Sequence, residues 1–280
     1  MPTTIVNAVE YHYEVDEEAR TEFAPPPTLV LLHGFTGSTE NWATHRPSFA
    51  ANYRTIVVDL LGHGQTEAPA DPARYTMEQS AGDLAGLLTT IAPGPVNLLG
   101  YSMGGRLALY FAIHYPYLVQ SLILESASPG LADVPAQQER VRSDEQLADA
   151  IETEGMAAFV ARWEALPLFA SQQALPASVQ NQLREQRLRN RPHGLANSLR
   201  GMGAGVQPSL WEQLTNLSAP TLLLAGELDQ KFKIIAAQMA TYLPKATVAI
   251  IPDAGHTIHL EQPQLFQAQV LAFLQGATSV

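Results

Sequence analysis

The sequence has no cysteine, only three lysines in 280 residues, and no apolar run long enough to cross a bilayer. Without thiols there can be no disulfide, no cysteine-ligated zinc and no thiol nucleophile. A chain of this length can bury enough apolar surface to fold without such staples. The opening residues, MPTTIVNAVEYHYEV, lack the basic and apolar regions of a secretory signal, so a soluble, cytoplasmic protein is expected. H-E-x-x-H is absent and no G-x-G-x-x-G follows a strand, so neither a metal nor a dinucleotide cofactor is expected. Scarce lysine does not mean scarce positive charge. Thirteen arginines bring the basic total to 16 against 27 acids, a formal net charge of −11. A surface of that sign repels phosphate backbones and anionic headgroups, which excludes nucleic acid and membrane surfaces as default partners.

Short runs of aliphatic and β-branched residues, bounded by turn residues, read as strands at 28–33, 54–60, 95–100, 120–125, 220–226 and 246–252. Continuous apolar runs of this length suit a parallel sheet covered on both faces. Helical patterns at 76–92, 103–115 and 262–275 lie among them, with Thr76 opening the first and Pro116 closing the second. EYHYEV, at 10–15, alternates and suits an antiparallel edge strand. Together these predict a doubly wound, mostly parallel α/β sheet. The alternation stops near Ser128 and resumes near Pro220, and the interval carries helical periodicity at 155–169 and 176–202. The expected organisation is a core of residues 1–128 and 216–280. A helical cap, 129–215, is inserted after the sixth strand and lies on the strands' carboxyl ends.

The sharpest chemical signal is Gly100-Tyr101-Ser102-Met103-Gly104, a G-x-S-x-G placed between a strand and a helix. Such a turn is sharp and strained, so glycines flank the serine, and it lifts the hydroxyl above the sheet at a helix N-terminus. A serine there needs a base, and the base needs an orienting acid; on this sheet type they follow in the order acid, then histidine. Asp229 (in GELD) and His256 (in DAGH) sit just after the last two strands and fit that order. Among eight histidines the competitor is His259, read as a packing residue, and the competing acid is Glu125. Asp253 shares the His256 loop and reaches Nδ1 poorly. Backbone N–H groups of Phe35 and Met103 are the expected oxyanion donors. His33 and His63 read as loop-holding residues.

HGFTGS, DLLGHGQT, GYSMGG, GELD and GHTIHLEQP together resemble the α/β-hydrolase superfamily over nearly the whole chain. That resemblance implies the α/β-hydrolase fold and the Ser102, Asp229, His256 triad, but not the reaction, because the fold hosts many chemistries.

The arginines narrow the field. Eight of the thirteen fall in the cap interval, and between 184 and 200 five arginines meet one acid, Glu185. Arg106 lies one helical turn beyond Ser102 and can face the same crevice. Planar guanidinium groups suit bidentate carboxylate binding, so a small anionic substrate is expected. Arg184 and Arg187, taken singly, read as a solvated helix face. YSMGGR (101–106), ESASPGL (125–131), Arg140 with Asp144, W-x-x-x-PLF (163–169) and GELDQKF (226–232) resemble the 2-succinyl-6-hydroxy-2,4-cyclohexadiene-1-carboxylate synthases of menaquinone and phylloquinone biosynthesis. The resemblance implies a substrate-binding set of Tyr101, Arg106, Arg140, Trp163 and Arg189. Arg142 remains the alternative to Arg140, and Ser128 stands where some relatives carry His. It also implies a lyase that eliminates pyruvate, with the triad as general base and no cofactor. The alternative enzyme is a serine hydrolase of an ester or C–C bond in a small anionic substrate. A non-catalytic receptor on this fold is disfavoured by the intact Ser, Asp and His. Oligomeric state is not legible, a monomer being slightly favoured.

Overall fold

The computed structural model describes residues 2–17 and 26–277. Eight strands form one sheet: β1 (Thr3–Val6), β2 (Val9–Asp16), β3 (Thr28–Leu32), β4 (Arg54–Val58), β5 (Val96–Tyr101), β6 (Val119–Glu125), β7 (Thr221–Gly226) and β8 (Ala246–Ile251). Their order is β1-β2-β4-β3-β5-β6-β7-β8. β1 and β2 run antiparallel to their neighbours, and the rest are parallel. β3, β5 and β7 are buried at every position, as their unbroken apolar runs require. Alternate residues of β3 serve different layers: Val30 and Leu32 join one core cluster, Leu29 and Leu31 the other.

α2 (Met77–Ile91), α3 (Met103–His114) and α7 (Gln230–Tyr242) cover the first face, through Leu84, Phe111 and Met239. α1 (Arg46–Ala50) and α9 (Pro263–Ala277) cover the second, through Phe49 and Phe266. A short α8 (Ile258–Glu261) precedes α9. This is the expected α/β-hydrolase arrangement, with one correction at its edge. EYHYEV is antiparallel but not an edge strand, because β1 pairs outside it. β1 escaped the sequence reading because it has four residues, and its turn is Asn7-Ala8 with both residues at positive φ. Such a hairpin turn is normally signalled by Asn-Gly.

Between β6 and β7, among the described residues, there is no strand. α4 (Val134–Glu164) is interrupted at Gly155, where φ is 81°. A 3-10 segment (Pro167–Ala174), α5 (Ala177–Leu188) and α6 (Pro192–Met202) follow. The helical periodicity expected over 176–202 is carried by two helices, because Pro192 begins the second at its first turn. The insertion has its own small core of Ile151, Phe159, Val160, Leu195 and Leu199, on which Phe35 of the main body packs. No helix among the described residues is long and apolar enough to cross a membrane.

Backbone packs closely where β3, β5 and α3 meet. A Cβ on Gly100 would stand 2.4 Å from the Gly104 carbonyl oxygen, and one on Gly104 would stand 2.4 Å from that of His33. Both obstacles are backbone and cannot swing away. Gly104→Ala is expected to lower the unfolding free energy by about 2 kcal/mol or more, as overpacking does. Gly94→Ala, with nothing within 4 Å of its added methyl, is the comparison and should stay within about 0.5 kcal/mol. Equal urea midpoints for the two variants would contradict this account of the turn.

Candidate active site

Ser102 leaves β5 at φ 50° and ψ −106°, a strained conformation for any residue with a Cβ. Its N–H donates to the Glu125 carbonyl at 2.9 Å, and α3 starts at the next residue. Asp229 is the N-cap of α7: one carboxylate oxygen accepts the Phe232 N–H at 3.2 Å and the other meets His256 Nδ1 at 2.8 Å. His256 Nε2 lies 3.1 Å from Ser102 Oγ. With Nδ1 protonated, the imidazole donates to Asp229 and its Nε2 accepts the serine hydroxyl. His256 and Asp229 are both buried, so solvent competes little for these hydrogen bonds. The expected three residues are brought together in the expected order.

The loop carrying His256 is held on both sides. The N–H groups of Gly255 and Thr257 donate to the two oxygens of Glu261 at 2.6 and 3.1 Å. Thr257 Oγ1 contacts the Tyr101 hydroxyl at 2.9 Å and accepts from Gln172 of the insertion at 2.8 Å. Burial pushes the Tyr101 phenol well above its usual range.

The competing acid and histidine satisfy each other. Glu125 and His259 are fully buried, and Nδ1 of His259 lies 2.9 Å from each Glu125 oxygen. Neither reaches Ser102 or His256 with a side-chain hydrogen bond. His33 Nε2 accepts the Leu60 N–H at 3.0 Å, so Nδ1 carries the proton and donates to the Gly34 carbonyl at 2.8 Å. Burial holds this ring neutral by lowering its pKa. His63 is likewise enclosed, with its pKa pushed down to about 3 by burial and then by His33. Both histidines hold loops.

A cavity of about 330 Å³ opens over Ser102 and His256, within the size range of small-molecule sites. Phe35 and Met103 line it beside Ser102. The Met103 N–H is the first of α3 and has no intrahelical acceptor. Trp163 and Phe169 supply an apolar wall from the insertion.

Among the described residues three cations line the cavity, Arg106, Arg140 and Lys231, and no Asp or Glu does. Arg106 is half-buried, and its Nη1 donates to the carbonyl oxygen of Met202 at 2.8 Å and to Gln207 Oε1 at 2.9 Å. No carboxylate lies within ion-pairing distance of it among the described residues. Burial, followed by repulsion from Arg140, pushes its pKa down to about 10. Arg140 donates from Nε to Asp144 at 2.7 Å. Of the two arginines left open by the sequence, Arg140 is therefore the one at the cavity, and Arg142 is turned outward to Glu139.

Two arginines differ from expectation. Arg189 does not line the cavity; it ends α5 on the surface, paired with Glu40. Arg187, read as a solvated position, is buried. It donates to Gln172 at 3.1 Å and to Glu164 at 3.2 Å, with its guanidinium 5.6 Å from the Phe169 ring centroid. α5 turns this residue inward and the two-residue offset turns Arg189 out, a phase that no arginine count reveals. The sequence reading also missed Lys231 at the cavity and Gln207 behind it. GELDQKF contained the lysine, whereas nothing marked the glutamine.

The α/β hydrolase fold family model matches residues 27–263. A Bacillus subtilis protein, provisionally named 2-succinyl-6-hydroxy-2,4-cyclohexadiene-1-carboxylate synthase, is 47% identical over 88% of this chain and 89% of its own. The synthase of that name from Escherichia coli O1:K1 is 35% identical over 88% of this chain and 94% of its own. The solved structure of MenH from S. aureus superposes with a TM-score of 0.91 at 38% identity, covering 95% of this chain and 99% of that one. The chain belongs to the α/β-hydrolase fold family and, within it, to the 2-succinyl-6-hydroxy-2,4-cyclohexadiene-1-carboxylate synthases.

Proposed function

We propose that the chain is a carbon–oxygen lyase that eliminates pyruvate from 2-succinyl-5-enolpyruvyl-6-hydroxy-3-cyclohexene-1-carboxylate, leaving the 2,4-cyclohexadiene. The observation that carries the reading is the pairing of an assembled Ser102–His256–Asp229 array with an Arg106 that has no acid partner, in one cavity. Membership of the synthase family says which reaction to test. The charge in the cavity says why such a substrate, with three carboxylates, would bind an acidic protein.

In this reading His256 takes the Ser102 proton and the serine oxygen removes the hydrogen at C2, next to the succinyl ketone. The electron pair forms C2=C3, the old C3=C4 bond becomes C4=C5, and the C5–O bond breaks. Enolpyruvate leaves and gains a proton on carbon to become pyruvate. Negative charge that develops on the ketone oxygen is met by the Phe35 and Met103 N–H groups. Asp229 steadies the imidazolium that forms. No covalent acyl-enzyme is needed. Arg106 and Arg140 take substrate carboxylates, Trp163 and Tyr101 pack on the ring, and no cofactor takes part.

Ser102→Ala is expected to lower pyruvate release by about a thousandfold or more, the usual loss of a triad member. Pyruvate coupled to lactate dehydrogenase reads this directly, and turnover near that of the parent protein would defeat the assignment.

Arginine substitutions test the binding set. Arg106→Ala should raise KM by about tenfold or more, the worth of a hydrogen bond to a charged group. Arg189→Ala removes only an exposed pair with Glu40 and should change KM by less than about twofold, as rim ion pairs do. The reverse ranking in steady-state kinetics would place the carboxylates elsewhere.

A further inference from the structure

We infer that Gln207 sets the preference for a carboxylate-bearing ligand, by positioning Arg106 with a neutral acceptor and so leaving its charge unspent. This rests on the proposed reading of the cavity as a carboxylate site. Gln207 is 1% exposed and does not line the cavity, so it acts through Arg106 and not on the ligand.

The orientation of its amide is determined by two neighbours. Oε1 accepts from Arg106 Nη1 at 2.9 Å, while Nε2 donates to the Ser128 carbonyl at 3.4 Å. Reversed, an NH2 group would face the guanidinium and an oxygen would face a carbonyl. The Gln207 N–H donates to the Gly203 carbonyl at 3.1 Å, which ties its backbone to the end of α6.

The other acceptor on Nη1, the Met202 carbonyl, is also neutral. Asp144, the acid whose field reaches Arg106, is occupied by Arg140 Nε at 2.7 Å and the Gly205 N–H at 3.4 Å. Arg106 Nε and Nη2 make no hydrogen bond to the protein among the described residues. The guanidinium is therefore held by one nitrogen and presents the remainder, with its charge, to the cavity. Proteins normally pair a charge so enclosed with an acid. Glutamate has nearly the shape of glutamine and would do so here, at the expense of the ligand. It would also set a carboxylate oxygen against the Ser128 carbonyl.

The test compares Gln207→Glu, which neutralises Arg106, with Gln207→Met, which keeps the volume and the charge balance. Two assays are run on each: KM and kcat for pyruvate release, and the succinate concentration that halves labelling of Ser102 by a fluorophosphonate. The second needs no turnover. Gln207→Glu is expected to raise both KM and the succinate concentration by about tenfold or more, with kcat changed much less, as for one lost charge-assisted contact. Gln207→Met is expected to lose at most about a third of that, because the Met202 carbonyl still holds Nη1 and the guanidinium keeps its charge. A simple packing role would move the two variants together and would not separate KM from kcat.

The inference is overturned if Gln207→Glu keeps the parent values or if Gln207→Met loses as much. It is also overturned if succinate fails to protect the parent protein. Should Gln207→Glu not fold, a tenfold loss of succinate protection in Gln207→Met is sufficient to overturn it. Failure of the reaction assignment looks different: the parent protein would release no pyruvate while succinate protection remained intact.

Discussion

The packing of Gly100 against the first turn of α3, and of Gly104 against the end of β3, is the contact on which the site depends. With no Cβ on either residue, α3 can start immediately above the end of β5, close to the His33 carbonyl. Three consequences follow from that closeness. Ser102 is thrust out of the sheet at positive φ, Met103 presents the first N–H of α3, and the loop after β3 brings Phe35 to the same cavity. Ser102, Met103 and Phe35 are thus placed by one steric fact. His256 and Asp229 arrive separately, on the loops after β8 and β7, and the parallel sheet brings those loops to the same rim.

Charge in this molecule is organised by depth. Most arginines of the insertion are spent on nearby acids: Arg142 on Glu139, Arg162 on Glu154, Arg184 on Glu164, Arg200 on Glu145, Asp149 and Glu152. Such exposed pairs add little stability, but they neutralise the cap's surface. Arg191 of the insertion and Arg106 of the main body have neutral acceptors instead, backbone carbonyls for the first and the Met202 carbonyl and Gln207 for the second, and of the two Arg106 lines the cavity. In a protein of net charge −11 the charged side chains lining this cavity are thus of the opposite sign to the average.

Much of this was legible beforehand because it rests on periodicity and on short-range sterics. Unbroken apolar runs of strand length suit buried strands, and a G-x-S-x-G between strand and helix is the signature of a nucleophile turn. The order of Asp229 and His256 after later strands selected them from several acids and eight histidines. What was not legible depends on rotation and on distant partners. Arg187 and Arg189 differ by two positions at the end of α5, yet one packs on Phe169 and the other meets Glu40. Their fates turn on the helix phase against the body, which composition does not encode. Gln207 was invisible for a similar reason: its role exists only because Arg106, some hundred residues earlier, reaches it. β1 was missed because four residues and an Asn-Ala turn carry almost no signal.

The sequence by itself determined the sheet type, the place where the strand alternation breaks, the nucleophile turn and the arginine-rich stretch between 184 and 200. These follow from local patterns that water and backbone sterics read the same way in any context. Only the tertiary structure decided which cations face the cavity, which pair away on the surface, and that Glu125 belongs to His259 and not to His256. Electrostatic pairing acts through space over a few ångströms, so it is settled by which side chains the fold brings within that reach.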